Sequence, residues 1–125
     1  MDHIPKIKIR TINPASHRYL TCGDWQYDKE DDVLTISVSK MPDWRSELAV
    51  AIHEAMEAVK CLADDITTED VDEFDFAHQH DEGESGDNPE APYHKQHKMA
   101  ETVEREVAKQ LDLDWETHDK TVNEA

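Results

Sequence analysis

The sequence predicts an α+β domain, a three-stranded antiparallel sheet at the N-terminus followed by three or four helices. Three observations predict it. Apolar and polar residues alternate in short runs up to Ser39. From Asp43 onward the apolar spacing becomes helical, and the run Asp81–Pro89, which holds two of the three glycines, interrupts the helices.

The first strand is expected over residues 4–12, with Ile7, Ile9 and Thr11 on a buried side and Lys6, Lys8 and Arg10 facing outward. Trp25 and Tyr27 repeat that spacing, residues 28–32 are turn-like, and Leu34, Ile36 and Val38 alternate with Thr35, Ser37 and Ser39. These two strands form a hairpin beside the first.

Pro42 ends the sheet and Asp43 caps a helix running to about Leu62, because its carboxylate accepts from free N–H groups of the first turn. Thr67, with Glu69 and Asp70 at the positive end of a helix dipole, starts a second helix toward His78. Pro92 opens a third, which ends near Leu111, and a short helix follows around Trp115. The whole chain, residues 1–125 with strands in 4–39 and helices in 43–122, is expected to form one domain.

Composition narrows the function. The net charge of -17 argues against direct nucleic-acid binding or an anionic membrane, and leaves divalent cations, an unknown substrate or a basic host protein as partners. No stretch has the length of a membrane helix, and Met1–Lys6 lacks the apolar core of a signal peptide, so a cytoplasmic protein with two reduced cysteines, Cys22 and Cys61, is expected.

On a helical wheel Leu48, Ile52, Ala55, Val59 and Leu62 share a sector, taken as the core face, while His53 and Glu57 fall on another stripe with Val50 and Cys61. One turn apart, His53 and Glu57 lean the same way and can hold one cation. The third helix sets His97 and Glu104 among Tyr93, Ala100, Val103 and Val107, with Glu101 at the edge. A buried imidazole or carboxylate needs a partner, and two such helices can satisfy each other through a metal. Two histidines and a carboxylate suit zinc first, with iron or manganese as alternatives. Candidate ligands are therefore His53 and Glu57 from one helix and His97 from the other, with Glu101 or Glu104 as a substitute ligand or an orienting partner. Glu54 is the catalytic general base, at the place where a helical His-Glu-x-x-His site carries one.

Each of these has a plainer reading. On that reading His53 and Glu57 are an exposed helical pair, and His97 and Glu104 a buried hydrogen-bonded pair without metal. His94 and Lys95 are expected to face solvent. His78, His80 and Asp81 suggest a His-Asp phosphohydrolase doublet, and Glu54-x-x-Glu57 with Glu69-x-x-Asp72 a magnesium site of all-helical pyrophosphohydrolases, but the strands weigh against both.

Ala51-Ile52-His53-Glu54-Ala55-Met56-Glu57, on a helix after a strand, resembles the core of zincin-type metallopeptidases, with Glu57 where that motif has its second histidine. Nearly the whole chain resembles a family of small uncharacterised proteins of tailed phages and prophages. That resemblance rests on Gly23-Asp24-Trp25, Asp43-Trp44-Arg45, His53-Glu54-x-x-Glu57, Val71-Asp72-x-Phe74-Asp75 and Gly86-Asp87-x-Pro89-x-Ala91-Pro92-Tyr93-x-x-Gln96-His97. It implies a phage or prophage origin, hence the host cytoplasm, and a metal site at His53, Glu57 and His97, but no activity. The function expected is a metal-binding protein, a candidate metal-dependent hydrolase, with a non-enzymatic acidic protein that binds a host factor as the alternative.

Overall fold

A computed structural model describes residues 2–125. Strands β1 (Lys6–Ile12), β2 (Gly23–Asp28) and β3 (Val33–Ser39) precede helices α1 (Trp44–Ala63), α2 (Thr68–His78), α3 (His94–Gln110) and α4 (Trp115–Asn123). Short 3-10 turns lie at Pro14–Ser16 and Ser85–Asp87. The α+β class holds, but the sheet is mixed rather than antiparallel. Its order is β1-β3-β2, with β2 antiparallel to β3 and β1 parallel to it. Period-two alternation specifies a strand's faces but not its neighbours. The connection through residues 13–22 is long enough to carry the chain past the place that β3 later fills.

Leu34, Ile36 and Val38 of β3 are fully buried against α1, and Trp25 of β2 joins them. In contrast to the half-buried strand expected, β1 is exposed at six of its seven residues, Ile7 and Ile9 included. The expected core stripe of α1 is also corrected. Leu48 is exposed and Ile52, Ala55, Val59 and Leu62 are only half-buried, whereas Ala49, Val50, Ala51, His53, Glu57, Ala58 and Cys61 are buried. The cause is α3, which packs along the His53 side of α1 where the helix offers small residues such as Ala49 and Ser46. Burial there follows the partner helix rather than the largest side chains.

The helix ends follow local chemistry. Asp43 accepts from Arg45 N–H at 2.9 Å, and Thr67 and Asp70 form a reciprocal capping box at the start of α2. No helix is long and apolar enough to cross a membrane, and Cys22 and Cys61 are unbridged.

Candidate metal centre

Residues from α1 and α3 meet where the two helices cross. His53 Nε2 lies 3.2 Å from Glu57 Oε2 and 3.3 Å from His97 Nδ1, and the last two atoms are 3.0 Å apart. All three side chains are buried, with 4–5% of their surface exposed. The helical spacing of His53 and Glu57 forms one edge of this triangle, and the α1–α3 packing supplies the third corner.

The far side of each group is held. His53 Nδ1 meets Glu104 Oε1 at 2.6 Å. His97 Nε2 lies 3.2 Å from both Glu84 and Asp87, at the 3-10 turn. Trp25 Nε1–H donates to the other oxygen of Glu57 at 3.2 Å. With the outer nitrogens protonated toward these carboxylates, three lone pairs converge inward, and such a set needs a cation between its members.

Without a metal, protons on the two imidazoles supply that positive charge. Burial pulls the His97 imidazole down, but hydrogen bonds to Glu57 and Glu84 outweigh it and hold its pKa at about 10. His53, also buried, is raised by Glu104 and Glu57. Burial pushes the Glu57 carboxyl up, yet the two imidazoles bring it to about 2. Glu104 is likewise lowered, since His118 and His53 outweigh its burial.

Glu104 is the orienting partner and not a corner of the triangle, whereas Glu101 bonds Lys98 and Arg105 away from the site. The sequence reading missed His118. This fully buried α4 residue bonds Glu104 at 2.5 Å through Nε2 and Ser46 Oγ at 2.9 Å through Nδ1. It extends the chain of polar groups behind His53 from α3 to α4 and back to α1. Its signal was slight, one histidine flanked by Trp115 and Val122 in a short amphipathic helix.

Two glycines allow the close approach. A Cβ on Gly86 would lie 2.4 Å from His97 Nδ1, and one on Gly23 would lie 2.8 Å from Glu54 Oε1 and 2.9 Å from Val50 Cγ1. His94, half-buried rather than solvent-facing, bonds the Gly86 carbonyl at 2.9 Å and ties that turn to α3.

The three groups open on a cleft of about 650 Å³ that Glu54, Asp24, Asp75, Tyr19 and Tyr93 also line. Glu54 is half-buried, and burial, reinforced by Glu57, raises its pKa well above the usual carboxyl range. Asp75 accepts from the hydroxyls of Tyr19, at 2.8 Å, and of Tyr93. Burial nevertheless holds it up at about 6. The alternative motifs do not assemble: His78 pairs with its neighbour Asp81, His80 and Glu69 are exposed, and Asp72 bonds Arg18. Comparison with protein-family models, curated proteins and solved structures finds no match to this chain.

Proposed function

We propose that this protein is a metal-dependent hydrolase of zincin-like design. His53, Glu57 and His97 would hold one divalent ion, zinc first and iron or manganese as alternatives, with Glu54 as general base. The observation that carries the reading is the outer support of the triangle. Each inward atom belongs to a group whose other polar atom already has a partner, which leaves three electron pairs aimed at one point. The size fits. The three inward atoms lie 3.0 to 3.3 Å apart, a spacing that would suit one ion whose bonds to nitrogen and oxygen are about 2.0 to 2.2 Å.

A bound ion supplies Lewis acidity, polarising a substrate oxygen and acidifying water. Glu54 follows His53 in α1 and lines the same cleft, which places it to take a proton from attacking water and return it to a leaving group. Asp24, Asp75, Glu82 and Glu84 line the cleft and no lysine or arginine does among the described residues. That lining favours a neutral or cationic substrate over a phosphorylated one.

Four of the five segments that carry the phage-protein resemblance support the same place; Asp43-Trp44-Arg45 lies outside it. Gly23, Trp25, Asp75, Gly86, Asp87 and Tyr93 all pack around the triangle or its cleft. On this reading the protein is phage-encoded and works in the host cytoplasm. The rival, an acidic protein that binds a host factor, draws on the net charge of -17.

Cobalt(II) tests the hydrolase reading. Wild type and Glu54→Gln should each bind about one equivalent with a four- or five-coordinate visible spectrum, and acetohydroxamate should shift both spectra by entering the open position. A cobalt spectrum indifferent to acetohydroxamate would mark a closed, structural site and defeat the enzymatic proposal.

A further inference from the structure

The sheet has no further strand beyond β1 among the described residues, and α1 keeps exposed or half-buried apolar residues outside its core face. Gly23 abuts Val50 and Glu54, so β2 lies beneath that flank of the helix. With β3 central, β1 lies toward the opposite flank, where Leu48, Ala55 and Val59 stand exposed or half-buried. Ile7 and Ile9 are in register with the buried Leu34 and Ile36 and share their face, yet they are 39% and 56% exposed. Ala55 and Val59 pack in part against the core, whereas Ile7, Ile9 and Leu48 remain exposed.

The outer edge of β1 is free as well. Lys6 N–H donates to the Asp32 carbonyl and the Ile12 carbonyl accepts from Lys40, so the even-numbered residues bond toward β3. The N–H and C=O groups of Ile7, Ile9 and Thr11 therefore point outward. On the other face of the strand stand Lys6, Lys8 and Arg10, three cations in a chain of net charge -17. None of them takes part in an ion pair among the described residues, and Arg10 is fixed by a 2.9 Å bond from Nε to Ser37 Oγ.

We infer that the β1 edge receives an extended segment of a partner protein in which apolar residues alternate with aspartate or glutamate. The added strand pairs with Ile7, Ile9 and Thr11, sets its apolar side chains under Leu48 and Val59, and sets its acids beside Lys6, Lys8 and Arg10. Charge selects this occupant over a second copy of the chain. Two β1 strands paired about a two-fold axis would bring lysines and arginines against one another on one face, which is destabilising. Lysines on a free edge commonly protect against self-pairing, and here the same residues leave the edge open to an acidic strand.

The test uses two seven-residue peptides, one alternating glutamate with valine and one alternating lysine with valine, added to the full chain. Amide hydrogen exchange is followed by NMR. The glutamate peptide should slow exchange at Ile7, Ile9 and Thr11. A Lys6→Glu, Lys8→Glu double variant, which loses no ion pair, should reverse the preference by about tenfold or more toward the lysine peptide. The inference fails if neither peptide protects those amides, or if both bind equally in wild type and variant. It also fails if the amides become protected as protein concentration rises without peptide, which would assign the edge to a second copy.

Discussion

Gly86 and His97 show how single residues set the metal centre. The clash of an added Cβ falls on His97 Nδ1 and Cγ, two ring atoms with little freedom to retreat. Gly86→Ala should lower stability by about 1 to 3 kcal/mol through overpacking, and should weaken zinc binding more than His80→Ala, a control at an exposed histidine. Chelator competition and thermal denaturation would measure the two effects. Glu104→Gln keeps the shape but removes the charge facing His53 and His118, and should weaken zinc by about 10- to 100-fold. Protons compete with metal at the same atoms. His97, held at about 10, is charged at pH 7 in the metal-free protein, and His53 is raised as well, so zinc must displace at least one proton and its affinity should rise at least about tenfold per pH unit between 6 and 8. Stability of the metal-free protein follows the same linkage. The raised histidine contributes fully below its unfolded value of 6.5 and loses that contribution as pH climbs through about 10. Glu57, lowered to about 2, contributes above 4.5 and fails as pH falls through about 2. Asp75 has ionised by pH 7, so metal-free melting temperatures should fall from pH 7 to 10 in wild type, and less in His97→Gln.

At the scale of elements, the seam between α1 and α3 carries the site. Ala100 is fully buried there, one turn from both His97 and Glu104. Ala100→Leu should force the helices apart, costing about 1 to 3 kcal/mol and weakening metal binding by separating His53 from His97. Circular dichroism melts with and without zinc would register both. The spacing of His53 with Glu57, and of His97 with Glu104, was legible because one helical turn is a local rule. The facing of the two stripes was expected from the need to satisfy inward polar groups, and the helix packing brings them together. The wheel chose the stripe of Leu48, Ile52 and Val59 as core because it counted side-chain size. Burial instead went to Ala49, Ala51 and Ala58, which let neighbouring backbones approach. The strands were legible from alternation, but not that β1 lies parallel to β3 at an edge, since pairing order depends on a connection with no period of its own.

For the molecule as a whole, burial and charge act against each other at the cleft. Eight acidic or imidazole side chains, Asp24, His53, Glu54, Glu57, Asp75, His97, Glu104 and His118, are buried or half-buried within a chain already at -17. Each is costly unless paired, and His118, on the last helix, could be placed only once the fold was known. A bound divalent cation would relieve that strain in the native state alone and so raise stability by mass action. Elemental analysis of the purified, untagged protein by mass spectrometry, wild type beside His53→Ala, tests the metal centre most directly. About one equivalent of zinc, iron or manganese in the wild type, absent from the variant, is the predicted result; no metal in either protein, with a melting temperature unchanged by chelator, would contradict it.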